Sequence, residues 1–184
     1  PLASAFISNC NALSRRGDII DELRRHGVGV DLYGQCNANA KESDWPDAVS
    51  QGRDRAKFHI MKAYPFHLAF ENTKEPGYVT EKFFGPLSAG TVPVVLGAPD
   101  IALFAPQPDA LLYIAGMDDV PRVSQITGLP AEGEEPTGYK KMLAYKVTGV
   151  SDGFKALTDI TVVHSTCRIC LRIADAVRRM EKET

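Results

Sequence analysis

Residues 70–82, FENTKEPGYVTEK, put the densest set of chemically capable side chains where an apolar strand gives way to a helix. The strand FHLAFEN ends in Glu71-Asn72, and a turn-forming stretch follows. A helix then begins near Val79-Thr80, with Glu81-Lys82 in its first turn. A helix N-terminus offers unpaired N–H groups and a partial positive charge, both of which suit phosphate. Lys82 adds a full charge, Tyr78 a phenol, and Glu81 a carboxylate that can accept hydrogen bonds from sugar hydroxyls. Arg16 falls in the turn or first helical turn after the first strand, where a guanidinium can make paired hydrogen bonds to phosphate. The same residues also fit a plain strand–turn–helix with a solvated Lys82, and a basic helix face built from Arg15, Arg16, Arg24 and Arg25.

The other reactive residue types offer less. His67 lies inside a strand and reads as a packed or hydrogen-bonded core histidine; His26, His59 and His164 have no partner spacing that marks a triad or a metal site. No DxD-like cluster is present, since Asp118 and Asp119 are adjacent. Cys10 and Cys36 follow the first and second strands. If those strands are neighbours, their ends lie about 5 Å apart, which is within disulfide reach. His164, Cys167 and Cys170 form H-x-x-C-x-x-C, but zinc would need a fourth ligand that no second pair supplies, and a redox CxxC would follow a strand. A bridge across one helical turn and free thiols packed in a helix both stay open for Cys167 and Cys170.

The elements that must position these residues alternate. LASAFIS, VGVDLYG, FHLAFEN, TVPVVLGAP and ALLYIAG read as short strands, and the segments between the first four carry helical spacing. Residues 34–52 read as a polar surface loop. Gly85-Pro86 should kink or restart the helix after Lys82. From about Asp118 the chain reads mostly as helix, interrupted by the loop GLPAEGEEPTG. The pattern predicts one α/β domain over residues 1–184, a mostly parallel Rossmann-like sheet with helices on both faces. Ligands of such sheets bind beyond the carboxyl ends of the strands. Those ends are Ser8-Asn9, Tyr33-Gly34, Glu71-Asn72 and Leu96-Gly97, and the tips of strands one, three and four are expected to line one crevice.

Composition narrows the partners. Lys plus Arg is 21 and Asp plus Glu is 23, a net charge of −2, which argues against the clustered positive field that nucleic acid requires. No apolar run approaches the ~20 residues of a membrane helix. The chain opens on Pro1 with no signal peptide, the expectation for a processed form or a piece of a longer chain.

Six segments carry a resemblance: AFISNC, VDLYGQC, YPFHLAFENTKEPGYVTEKFF, SAGTVPVVLGAP, IAGMDDV and VHSTCRICL. Together, over residues 5–179, they resemble the α1,3-fucosyltransferases of glycosyltransferase family 10, and most of all the plant-type members that fucosylate the core of N-linked glycans. The resemblance implies the carboxyl-terminal, donor-binding half of a glycosyltransferase-B arrangement. It implies GDP-fucose as donor, an inverting α1,3-transfer to a GlcNAc of a glycan, and a catalytic base in an amino-terminal acceptor domain outside this chain. Position by position it assigns donor binding to Arg16, Asn72, Tyr78, Glu81 and Lys82, with no metal ligand and no cofactor required in the site. Arg16→Ala and Lys82→Ala are each expected to weaken GDP binding in a folded domain. The implied setting is the Golgi lumen, in a single-pass type II membrane protein, with disulfides Cys10–Cys36 and Cys167–Cys170. Two departures from the plant-type pattern stand out: Gly85-Pro86 inside the helix, and a loop after Cys36, NANAKESDW, without the expected basic character. A nucleotide-sugar-binding module without catalysis is the alternative.

Overall fold

The structure is a computed structural model that describes residues 1–127, 136 and 138–162. His164, Cys167 and Cys170, with the last predicted helix, lie outside the described residues, as does most of the loop GLPAEGEEPTG. Five strands form one sheet: β1 (Ala3–Ile7), β2 (Val30–Gly34), β3 (Phe66–Phe70), β4 (Val92–Leu96) and β5 (Leu112–Tyr113). Their order is β2-β1-β3-β4-β5, and every adjacent pair is parallel. β3 and β4 are buried at all positions, as expected of central strands covered on both faces.

Alternate residues face two apolar layers. Ala3, Ala5, Ile7, Leu68, Phe70 and Val94 meet helices α1 (Arg16–Arg25), through Ile19, Ile20 and Leu23, and α5 (Val120–Thr127), through Val120 and Val123. In chain order, α2 (Pro46–Val49), α3 (Arg53–Lys62) and α4 (Glu81–Ala89) lie between these two, and α3 and α4 pack on one another. On the second face Phe83 of α4 packs with Ala69 and Val95, and Ile60 of α3 packs with Tyr33 and Tyr64. Three further helices, α6 (Tyr139–Met142), α7 (Tyr145–Thr148) and α8 (Asp152–Val162), follow.

Two local expectations change. α4 runs unbroken through Gly85-Pro86. Pro86 lies inside the helix and removes one donor from it, but the residue is buried along with Phe83 and Ala89, and that packing holds the turn in place. Residues 34–52 are not all loop: a 3-10 turn at Glu42–Asp44 leads into α2, which starts on Pro46, a residue suited to the first helical position.

Strand pairing sets the site. β1 matches five residues with β2, and β3 matches five with β4, yet β1 and β3 pair only at Ala3↔Phe66 and Ser4↔His67. Beyond that point the two central strands part. The connection order reverses between the same two strands, which is where open parallel sheets bind ligands.

Candidate functional site

Parting strands leave backbone carbonyls without ladder partners, and the β1–α1 connection supplies them. Arg16 Nη1 donates to Phe70 O at 2.9 Å, Ser14 Oγ to Glu71 O at 2.6 Å, and Ser14 N to Asn72 O at 2.9 Å. Arg16 Nη2 donates to Asn9 O at 2.8 Å. The guanidinium therefore bridges the tips of β1 and β3. Arg16 is the first residue of α1, and Arg15 before it takes a left-handed backbone (φ 57°) that turns the chain at this point. The Arg16 side chain is only 3% exposed, and burial pulls its pKa below the usual guanidinium value, against the attraction of Glu71 and Tyr78. Predicted at the carboxyl edge for phosphate, Arg16 is there, but with both terminal nitrogens already bonded to backbone.

At the tip of β3 a buried carboxylate organises the next helix. Glu71 Oε1 accepts from Thr80 N at 2.9 Å and from Thr80 Oγ1 at 2.6 Å. Thr80 is the N-cap of α4, so Glu71 fixes where that helix starts. Lys82 Nζ lies 3.3 Å from Glu71 Oε2 and donates to Glu81 Oε1 at 3.1 Å and to Thr80 Oγ1 at 3.1 Å. Burial alone would push the Lys82 ammonium down; its hydrogen bond to Glu81 and the two carboxylate charges outweigh this and raise it. Burial likewise pushes the Glu81 carboxyl up, but Lys82, the N–H at the helix start and Thr80 carry it below the ordinary value. Lys82 stays cationic and Glu81 anionic around neutrality.

A cavity of about 300 Å³ opens in the gap, lined among others by Ser8, Asn9, Arg16, Asn72, Glu81 and Lys82. Four of the five predicted binding residues thus line one cavity. Tyr78 does not line it and stands 37% exposed. The tip of β4 is also absent from the lining, contrary to expectation. It packs behind instead: a Cβ at Gly97 would sit 3.0 Å from Glu71 Cγ, so glycine is what lets the carboxylate occupy this place. Two buried polar atoms here lack a partner, Arg16 Nε and Asn72 Oδ1, while Glu71 Oε2 has Lys82 Nζ at 3.3 Å. Such atoms are few in folded proteins, and two beside one strand tip, one donor and one acceptor, mark a place where a polar ligand can be received.

Glu71 was missed as a site residue. Its sequence signal was an acid at the end of an otherwise apolar strand, directly before Asn72. His67 is the core histidine expected: its Nδ1 is 2.8 Å from Ser4 Oγ, its ring is 5.8 Å from that of Phe6, and burial, assisted by Lys57, takes its pKa down to about 3. Cys10 and Cys36 form a disulfide, Cα–Cα 5.3 Å, tying the β1–α1 connection to the end of β2. Among the described residues no group of three His, Cys, Asp or Glu is placed to hold a metal ion, and no helix is long and apolar enough to cross a membrane.

Comparison with known proteins places this geometry in a family. The model of the carboxyl-terminal domain of glycosyltransferase family 10 (fucosyltransferase) matches residues 1–183. A fucosyltransferase-like protein of Arabidopsis thaliana is 43% identical over 185 residues, covering 100% of this chain and 33% of that protein. GDP-fucose protein O-fucosyltransferase 3 of Gallus gallus is 30% identical over 190 residues, covering 95% of this chain and 39% of that protein. A crystal structure of α1,3-fucosyltransferase with GDP-fucose shares the fold, with a TM-score of 0.59 and 24% identity over 83% of this chain and 40% of that one. The chain spans well under half the length of each of these relatives. It belongs to glycosyltransferase family 10.

Proposed function

We propose that this chain is the GDP-fucose-binding domain of an inverting fucosyltransferase that makes an α1,3 bond to a GlcNAc of a glycan, the N-glycan core being the acceptor the sequence resemblance favours. The observation that carries the donor assignment is the parting of β1 and β3 over a cavity walled by Arg16, Asn72, Glu81 and Lys82. In transfer, the bond from the fucose anomeric carbon to the β-phosphate oxygen breaks, and its electron pair stays on the diphosphate. The acceptor hydroxyl oxygen attacks that carbon from the opposite face and gives up its proton to a base. Lys82, Arg16 and the N-terminus of α4 meet the charge growing on the diphosphate, and because they are held in place beforehand they need little reorganisation. Glu81 accepts from hydroxyls of ribose or fucose, and Tyr78 borders the donor at the exposed rim.

The base is assigned to an amino-terminal acceptor domain, in keeping with both site carboxylates here being paired to Lys82. The Cys10–Cys36 disulfide supports an oxidising setting, for which the Golgi lumen is proposed. Calorimetry with GDP, ADP and UDP tests the donor reading, and equal affinity for all three would sink it. The isolated residues 1–184 are expected to bind GDP yet transfer negligibly, because positioning and proton removal together supply many orders of magnitude. Turnover near that of the full-length protein would refute this placement of the base. A second reading, an acceptor hydroxyl on polypeptide, is favoured by the resemblance to a protein named an O-fucosyltransferase. Assays of the full-length protein on defined N-glycans and on folded polypeptide domains separate the two.

A further inference from the structure

We propose that Lys57 is a donor-binding residue, its ammonium taking a phosphate oxygen of the nucleoside diphosphate. The proposal rests on the donor reading above and adds a contact to the same site. Among the described residues three cations line the cavity between β1 and β3: Arg16, Lys57 and Lys82. Two of them are already engaged, Arg16 by the carbonyls of Phe70 and Asn9, and Lys82 by Glu71 and Glu81. An arriving phosphate must share those charges with partners in place. Lys57 is different: among the described residues its partner is the ring of Phe6, 5.6 Å from Nζ to the centroid, and no carboxylate pairs with it.

Position strengthens the case. Lys57, Phe6 and Ser8 also border a second hollow of about 590 Å³, beyond the tips of β1 and β2, so Lys57 stands on the wall common to both spaces. A ligand longer than one cavity, as a nucleoside diphosphate sugar is, passes this ammonium on its way from one to the other. Phe6 is itself braced, its ring stacked 5.0 Å from that of Tyr33, which fixes the ring under the Lys57 ammonium. The charge also reaches inward, since Lys57 adds to the depression of the buried His67 pKa. An anionic ligand would give Lys57 the counter-ion that none of the described residues supplies.

The test is calorimetry of the full-length protein with GDP, guanosine and inorganic pyrophosphate, on wild type, Lys57→Met and Lys57→Arg. Lys57→Met keeps an apolar stem against Phe6 and should leave the unfolding midpoint in place. It should weaken GDP and pyrophosphate binding roughly ten- to a hundred-fold, the scale of one charged hydrogen bond, and leave guanosine unaffected. Lys57→Arg should restore most of the loss. Unchanged GDP affinity in folded Lys57→Met overturns the role of Lys57 and leaves the donor reading standing. Pyrophosphate bound through Lys57 without preference for GDP over ADP and UDP supports the anion contact and overturns the donor reading. A wild type that binds neither GDP nor pyrophosphate overturns both. If Lys57→Met lowers the midpoint, Lys57→Arg decides: retained binding supports the proposal and lost binding overturns it.

Discussion

Replacing Arg16 by alanine should damage the fold before it reports on ligand binding. The side chain is 3% exposed and makes two charge-assisted hydrogen bonds, 2.9 Å to Phe70 O and 2.8 Å to Asn9 O. A hydrogen bond from a charged donor is worth ~1.5–3 kcal/mol, so the pair contributes roughly 3–6 kcal/mol. Burial leaves little solvent screening to discount. Arg16→Ala also frees two carbonyls at the tips of parting strands, and a void adds to the loss. Domains of this kind are stable by about 5–15 kcal/mol, so the variant should keep only a fraction of that. Urea unfolding followed by circular dichroism measures it. The midpoint of Arg16→Ala should fall by an amount equivalent to at least ~3 kcal/mol. Arg16→Lys, which keeps the charge but loses the planar fork, should lie between it and wild type. A shift under ~1 kcal/mol would show that the strand tips do not depend on this guanidinium. The expectation of weaker GDP binding in an intact Arg16→Ala domain is revised accordingly, and ligand affinity at this position is better read from Arg16→Lys.

Other outcomes can be measured independently. Lys82→Gln takes the cation from buried Glu71 Oε2 while Thr80 still serves Oε1, so it should lower the urea midpoint and, in the folded protein, lose roughly ten-fold or more in GDP affinity by calorimetry. His67 has a folded pKa of about 3, below the ordinary 6.5, so the unfolded chain binds the extra proton between those values. Its contribution is complete above about pH 6.5 and falls by ~1.4 kcal/mol per unit as pH drops toward 3; urea midpoints against pH should show that slope, and His67→Gln should flatten it. The Cys10–Cys36 bridge spans a sequence separation of 26, for which loop-closure entropy predicts about 3.5 kcal/mol lost in Cys10→Ser/Cys36→Ser. Non-reducing peptide mapping should recover that pair, and free thiols at Cys10 and Cys36 in protein from an oxidising compartment would contradict it.

What could be read from the chain was local. The order of strands and helices followed from apolar runs and turn residues, and the N-terminus of α4 from Thr80 standing ahead of Glu81-Lys82. Asn72, Glu81 and Lys82 lie within one strand–turn–helix, and Arg16 lies at the corresponding place after β1, so the rule that parallel sheets bind at their carboxyl edge pointed to these segments, while the choice of the four side chains came from the family resemblance. What escaped depends on contacts between distant segments. Glu71 becomes a buried organiser only because α4 folds back to place Thr80 and Lys82 on it. The exclusion of the β4 tip follows from Gly97 packing behind Glu71, a matter of sheet register. Pro86 looked like a break because its missing N–H is visible in sequence, whereas the burial that offsets it is not.

The limited pairing of β1 with β3 links these features into one argument. Had the two strands stayed paired to their ends, no gap would exist between their tips for Arg16 to bridge. Because they part, the β1–α1 connection must bring donors, and it brings Ser14 and Arg16. The gap is thereby walled with positive charge on the β1 side. On the β3 side the chain's exit carries Glu71, which needs Thr80 and Lys82, so the start of α4 is drawn to the same opening. Two helix N-termini and two buried charges converge there because of a sheet that stops pairing early. The cations and helix starts that this early parting gathers would favour an anion there, and the residues that hold the strands together are largely those that would hold the donor.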